Sequence, residues 1–200
     1  MEKNRLEAYA DNIFSIVATL MIFNLHLQDG LPVGHALQAE VPKIAVFFFS
    51  FMILGMYWVA HHSLFHFVAR SDRSLLWRNN FFLMFISFVP FPANVLGDHP
   101  LDPDSICLYG AALICVNLSM FFMWRGIITH CLINRTKAEI TPQIRRNMRI
   151  LQLGPVGAYM LAMALSFSLP QASLAIFVAV PLFYILPNAV LRRLLISEVS

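Results

Sequence analysis

Long apolar stretches alternate with short polar segments along the whole chain. A transmembrane helix needs about 20 predominantly apolar residues. Six stretches reach this length, at roughly residues 6–27, 43–68, 75–97, 105–131, 148–169 and 172–194. A helix is expected for each of them, because it satisfies its own backbone hydrogen bonds in lipid. The pattern predicts an all-α, polytopic membrane protein with six transmembrane helices, forming a single domain over residues 1–200.

Proline positions refine these boundaries, since proline is disfavoured in a helix interior. We expect six prolines to mark helix ends or loops: Pro42, Pro92, Pro100, Pro103, Pro142 and Pro170. Four others fall within or near the predicted spans: Pro90, Pro155, Pro181 and Pro187. Proline is a common cause of helix kinks, so kinks are expected near these four positions.

The polar segments between the stretches alternate in charge. The N-terminal segment, the second and fourth connections and the C-terminal segment are basic: Lys3, Arg5, Arg70, Arg73, Arg78, Arg135, Lys137, Arg145, Arg146, Arg149, Arg192 and Arg193. The first and third connections are acidic and carry one lysine: Asp29, Glu40, Lys43, Asp98, Asp102 and Asp104. Since lysine and arginine accumulate on the cytoplasmic side of a membrane, this bias predicts that both termini are cytoplasmic.

Composition supports a membrane location. The chain is 58% hydrophobic and 12% charged, with a mean hydropathy of +0.68, whereas about 25% of residues are charged in a soluble domain. So few charged groups cannot cover a water-facing surface, and the lipid bilayer is the expected partner. The isoelectric point of 8.9 follows from the basic connections, so we do not expect a nucleic-acid partner.

One side of the first predicted helix carries a distinctive stripe. Its members are Asn12, Ile16, Thr19, Leu20, Phe23 and Leu27, at helical spacings of three and four residues. A stripe of this kind most often packs against another helix, and its hydroxyl and amide groups can bond to their own backbone. It could also line an ion pathway, although the residues alone favour helix packing.

Two charged residues of the same segment need partners. A charge at the centre of a membrane helix costs about 2.5–3.5 kcal/mol on insertion scales. Arg5 and Asp11 are six residues apart and do not face each other on one helix. We therefore expect each to bond to another helix or another subunit. The candidate partners are Tyr57, Trp58, His61, His62, His66, Asn79 and Asn80.

The histidines of the second span allow two other functions. His62 and His66 are four residues apart, a spacing that metal sites use, but no carboxylate lies nearby in the sequence to complete a site. We therefore expect no bound metal and favour hydrogen-bonded histidines. The same histidines together with Asp11 could instead form the relay of a proton-coupled secondary transporter.

Several familiar motifs are missing from the sequence. It contains no HExxH, no GxSxG and no phosphate-binding glycine loop, so an enzyme is not expected. It also contains no TVGYG segment, so a pore in this protein would not select its ion with carbonyl rings of that type.

Three segments, RLEAYADNIFSIVATL at 5–20, WVAHHSLF at 58–65 and LWRNN at 76–80, resemble the lysosomal potassium channel family in its single-repeat bacterial form. The family's first helix opens with Arg-x-x-x-Phe-Ser-Asp. Arg5 and Asp11 match this motif, while Tyr9 and Ala10 replace its phenylalanine and serine. A further familial segment is PFP at 90–92. Spans four to six agree with the family in number and hydropathy.

The resemblance implies a potassium-permeable channel in the bacterial inner membrane. With one six-helix repeat per chain, the implied assembly is a homotetramer whose pore is lined by the first helix. No cofactor is implied other than the permeating K⁺. Ile16 matches the family's constricting isoleucine and Thr19 the threonine one turn further along, while Phe23 replaces a bulky aliphatic residue. The positions that hold the pore helices together are implied to form a polar network of Arg5, Asp11, Trp58, His62 and Asn79.

Overall fold

The computed structural model describes residues 3–27, 29–129 and 142–185, and these ranges contain helices and turns but no β-strand. The predicted all-α class is confirmed. The elements are α1 (Lys3–Leu20) with a 3₁₀ continuation (Met21–Asn24), α2 (Val33–His66), α3 (Arg73–Phe88), α4 (Pro90–Asp98), α5 (Pro103–Thr129), α6 (Pro142–Ser166) and α7 (Pro170–Ile185).

Five spans in the described ranges are long and apolar enough to cross a membrane: Lys3–Asn24, Val33–His66, Arg73–Asp98, Pro103–Thr129 and Met148–Ser166. The third combines α3 and α4, and the apolar helix Pro170–Tyr184 provides a shorter sixth. This order confirms the predicted six-span fold. The end of the sixth predicted span, which extends to residue 194, lies outside the described residues.

Helix α2 is longer than its predicted span and begins at Val33. The prediction that Pro42 marks a helix end is wrong, because α2 continues through this residue. Its 34 residues correspond to about 51 Å at 1.5 Å per residue, more than the roughly 30 Å of hydrocarbon in a bilayer. Because the charged residues Glu40 and Lys43 flank Pro42, we infer that this end of α2 extends towards water, which can bond the carbonyl group left unpaired by the proline.

The third predicted span is broken at Val89 into α3 and α4. The N–H of Val89 bonds to the carbonyl of Ile86 at 3.2 Å, and Pro90 has no N–H with which to continue the helix. The expected irregularity at Pro90 is thus present. Pro155 and Pro181 lie inside α6 and α7, and Pro187 lies outside the described residues.

Helix α5 lies at the centre of the bundle, packed against α3 on one side and α6 on the other. Two glycines allow these close approaches. A Cβ atom at Gly126 would lie 2.7 Å from Nε of Arg78 on α3, and one at Gly110 would lie 2.8 Å from Cγ of Met163 on α6. Helix α1 packs against α2 and α3 at the side of this core, which leaves one of its faces open.

Candidate pore-lining site

The two faces of α1 differ sharply in burial. Leu6, Ala10, Phe14 and Val17 recur every three or four residues and are buried. Their spacing places them on one stripe, as expected of a helix that packs with a single side. Phe14 contacts the rings of His61 and Phe82, at centroid distances of 6.2 and 6.0 Å. The buried stripe therefore attaches α1 to α2 and α3.

All six residues of the predicted pore stripe are exposed in the single chain: Asn12, Ile16, Thr19, Leu20, Phe23 and Leu27. Ile16 is 53% exposed and Phe23 is 76% exposed. Other helices of the bundle also expose bulky apolar residues, such as Phe48 on α2 at 67% and Ile150 on α6 at 60%. The exposed face of α1 is left for lipid, for another copy of the chain or for a pore.

The first predicted span, 6–27, is not a continuous α-helix. The α-helix ends at Leu20 and is followed by the 3₁₀ turn Met21–Asn24, where the N–H of Leu25 bonds to the carbonyl of Ile22 at 3.0 Å. Leu25 itself is extended, with φ −92° and ψ 109°. Phe23 therefore lies on the tighter turn and Leu27 beyond it, so the helical spacing that grouped them with Ile16 ends at Leu20.

Thr19 has a hydroxyl group whose proton is used within the helix. Its Oγ1 lies 2.9 Å from the carbonyl oxygens of both Ser15 and Ile16, and it donates to them. The hydroxyl oxygen keeps its lone pairs. Because the side chain is exposed, this oxygen can approach a cation outside the helix.

Asp11 is bonded to the second helix, as expected for a charge in this position. Trp58 Nε1 donates to Oδ1 of Asp11 at 2.8 Å, and the Trp58 ring stacks on His62 at a centroid distance of 5.8 Å. Three of the five residues of the predicted polar network are thus together. Arg5 is exposed and makes no hydrogen bond or ion pair with the described residues of its own chain.

The fifth predicted network residue, Asn79, has a different partner. Its Oδ1 lies 2.7 Å from Nε2 of His61, and both residues are buried. The His61 ring stacks on Phe65 at 4.4 Å and on Phe82 at 5.5 Å. The sequence offered His61 only as one of several candidate partners for Asp11, and did not indicate that it pairs with Asn79. The available signal was its register, four residues after the buried Tyr57 and three before the buried Leu64.

His62 and His66 are both exposed, and the ring of His66 contacts Phe67. Among residues 3–27, 29–129 and 142–185, no three His, Cys, Asp or Glu side chains are close enough to hold one metal ion. These two histidines therefore have no third ligand from the described part of the chain.

Lys43 forms an ion-pair cluster at the end of the bundle where α1 connects to α2 and α4 to α5. Its Nζ lies 2.7 Å from Oδ1 of Asp98 and 3.5 Å from Oε2 of the buried Glu40. Lys43 also lines a small cavity together with Asn24, Asn94 and apolar residues of the 3₁₀ turn and its end, of α2 and of α4. The one lysine of the acidic connections thus has two carboxylate partners.

Comparison with known proteins places this geometry in a family. The family described as endosomal/lysosomal potassium channel TMEM175 matches residues 5–90. A potassium channel of Streptomyces collinus is 32% identical over 192 residues, which cover 92% of this chain and 91% of that protein. The chain belongs to the TMEM175 family. The resemblance seen in the first three spans is confirmed.

The TMEM175 match extends to the whole fold. A crystal structure of a lysosomal potassium-selective channel TMEM175 homolog from Chamaesiphon minutus superposes with a TM-score of 0.77 at 26% identity, covering 92% of this chain and 96% of that one. Danio rerio TMEM175, named an endosomal/lysosomal proton channel, is 32% identical over 119 residues, or 58% of this chain and 23% of that protein. The residues matched by the family, 5–90, include α1 from Arg5 onwards and all of α2 and α3, and therefore every residue of the predicted pore stripe and polar network.

Proposed function

We propose that this chain is a potassium-permeable channel that assembles as a homotetramer around a pore lined by the exposed face of α1. The observation that carries the proposal is the contrast between the two faces of this helix. Its contacts with α2 and α3 use the buried stripe, while Ile16 and its neighbours remain exposed. The bacterial relative named a potassium channel, matched over nine-tenths of both chains, supports the choice of ion.

Four copies of the exposed face around one axis would form successive side-chain rings. An Ile16 ring would be apolar and could stop conduction by dewetting. A Thr19 ring would present hydroxyl oxygens, whose protons are already used within the helix, to a partly dehydrated cation. Phe23, on the 3₁₀ turn, would form the next ring. Side chains hold an ion less rigidly than backbone carbonyls, so we expect modest discrimination between K⁺ and Na⁺.

The distribution of basic and acidic connections supports an orientation with both termini in the cytoplasm of a bacterial cell. The acidic residues of the outer connections, including Asp29, Asp102 and Asp104, would raise the local cation concentration at the pore mouth. This effect should weaken as the ionic strength rises, because salt screens exposed charges over about 8–10 Å.

Ion flux from liposomes containing the purified protein tests the proposal. A voltage-reporting dye should show K⁺ leaving down its gradient without a coupled ion, and Ile16→Asn should increase the flux or change the ratio of K⁺ to Na⁺ flux. Ile150→Asn is the matched control, because Ile150 is 60% exposed on α6, away from α1. Wild-type liposomes that retain K⁺ would refute the channel, and an unchanged Ile16→Asn variant would remove Ile16 from the constriction.

The subunit number is tested separately. Native mass spectrometry of the detergent-purified protein should give four copies of the 22.7 kDa chain. A monomer that nevertheless conducts K⁺ would place the pore inside one bundle and refute the assembly.

Proton movement is a second candidate, favoured by the name of the Danio rerio relative and by the exposed Asp11 beside the stacked Trp58 and His62 rings. A pH-sensitive dye in the same liposomes distinguishes the possibilities. Proton entry without K⁺ would indicate a proton channel. K⁺ flux that requires an opposing proton gradient would indicate the proton-coupled carrier.

A further inference from the structure

One turn of α2 bonds to three neighbouring helices. Tyr57 OH accepts a hydrogen bond from Nδ2 of Asn117 on α5 at 2.6 Å, Trp58 donates to Asp11 on α1 at 2.8 Å, and His61 is bonded to Asn79 on α3 at 2.7 Å. At about 100° per residue, positions 57, 58 and 61 fall within an arc of about 100°. The central helix and the candidate pore helix are therefore connected through adjacent residues.

The Asn117 side of its bond to Tyr57 is fixed by a second hydrogen bond. Both residues are buried, and Nδ2 of Asn117 also donates to the carbonyl of Leu113 at 2.8 Å, so both of its amide hydrogens are used. In the bilayer interior no bulk water can replace a lost partner. The bond consequently favours one rotation and one axial position of α2 relative to α5.

Because Trp58 follows Tyr57 directly, a rotation of α2 that separates Tyr57 from Asn117 also moves the indole relative to Asp11. We propose that Tyr57 and Asn117 are positioning residues for permeation, which fix the pore helix through the bond between Trp58 and Asp11. In this role they set how sharply the ring of exposed α1 side chains discriminates between ions. The proposal rests on the channel function proposed above.

The bundle contains a matched bond for comparison. Ser50 and Tyr109 also join α2 to α5 through a buried tyrosine hydroxyl, at 2.8 Å. Ser50 lies seven residues before Tyr57, on nearly the same side of α2 but two turns away. Its chain neighbours, Phe49 and Phe51, cannot hydrogen-bond to α1 through their side chains. The Ser50–Tyr109 bond should therefore affect stability without fixing Asp11.

The first experiment compares Tyr57→Phe with Tyr109→Phe in liposomes. Each variant removes one buried hydroxyl group and keeps the aromatic ring. The readout is the ratio of K⁺ to Na⁺ flux, which does not depend on how much protein is folded. We expect Tyr57→Phe and Asn117→Leu to move this ratio towards one by roughly threefold, with the double variant no worse than either single variant. Tyr109→Phe should keep the wild-type ratio.

The second experiment follows the indole of Trp58 directly. With Trp77→Phe and Trp124→Phe as the background, Trp58 is the only remaining tryptophan. Its emission should shift in Tyr57→Phe and stay constant in Tyr109→Phe. An unchanged flux ratio or unchanged emission in Tyr57→Phe would overturn the proposal, as would equal changes in both variants. Wild-type liposomes without flux would refute the channel itself, while the emission would still decide whether Tyr57 positions Trp58.

Discussion

Trp58 Nε1 and Asp11 Oδ1 are joined by a 2.8 Å hydrogen bond that links α2 to the exposed side of α1. The bond has an ionisable acceptor, and hydrogen bonds to charged groups are stronger than those between neutral groups. It lies at a partly exposed position, with Trp58 40% exposed. Neither residue therefore needs this bond merely to be buried, and its main effect is to orient α1.

Trp58→Phe removes the donor and keeps an aromatic ring against His62. We expect a loss of about 0.5–1.5 kcal/mol in the free energy of unfolding, the range for interhelical hydrogen bonds in membranes. Asp11→Asn keeps an acceptor and should cost less. Thermal unfolding of the two single variants and the double variant gives the coupling between the residues. Strictly additive losses would show that the negative charge of Asp11 does not strengthen the bond.

We expect the His61–Asn79 bond to contribute more to stability than the Trp58–Asp11 bond, because both of its partners are buried. Asn79→Leu leaves His61 without an acceptor and should destabilise the protein by about 1–3 kcal/mol. Adding His61→Phe should recover most of this loss, since a phenylalanine ring can stack between Phe65 and Phe82 and needs no partner. Chemical unfolding in detergent measures both. A double variant less stable than Asn79→Leu would contradict this view of the pair.

The helices, and the grouping of Ile16 and Thr19 on one face of α1, could be predicted from the sequence because both depend on local periodicity. Apolar length identified the spans, and the three- and four-residue spacing identified the face that includes Ile16. The need of Asp11 for an interhelical partner followed from the cost of a charge in lipid, and Trp58 is among the partners expected. These conclusions required no knowledge of how the helices are arranged.

Features that depend on packing could not be predicted in this way. The choice between His61 and His62 as partner of Asn79 depends on the rotation of α2 against α3, and the Tyr57–Asn117 bond joins residues 60 positions apart. Sequence does not predict that α2 continues through Pro42, because proline removes one hydrogen bond from a helix interior. Water that reaches the unpaired carbonyl can offset this loss. The 3₁₀ turn after Leu20 could not be predicted either, because its four residues are too few to show a period.

Gly126 is required by the position of Arg78 on the neighbouring helix. Arg78 donates to the carbonyl of Phe122 at 2.7 Å, and a Cβ atom at Gly126 would lie within 2.8 Å of its guanidinium group. Gly126→Ala should displace Arg78 and cost about 1–2 kcal/mol. Gly55→Ala is the matched control, because nothing lies within 4 Å of its added Cβ. It should stabilise α2 by about 0.5–1 kcal/mol. Equal melting temperatures for the two variants would contradict the argument.

Lys43 should matter for stability far more than an exposed lysine. Lys43→Met leaves the carboxylates of Glu40 and Asp98 without their shared ammonium group, and Glu40 keeps only 7% of its side chain exposed. We expect a loss of about 1–2 kcal/mol, less than for a fully buried pair because the ammonium side chain is itself 17% exposed. Adding Glu40→Gln should recover part of the loss, since the buried group is then neutral.

Lys3→Met provides the matched control for this substitution. It breaks the 3.7 Å pair with Glu7 one turn along α1, and an i,i+4 pair near the surface contributes only about 0.3–0.5 kcal/mol. Melting temperatures of both variants in detergent, at low and high salt, measure the difference. The melting temperature of Lys43→Met should be lower than that of Lys3→Met at either salt concentration, because salt screens a partly buried cluster less than an exposed pair. If the two variants melt together, the Lys43 cluster does not hold α2 to α4.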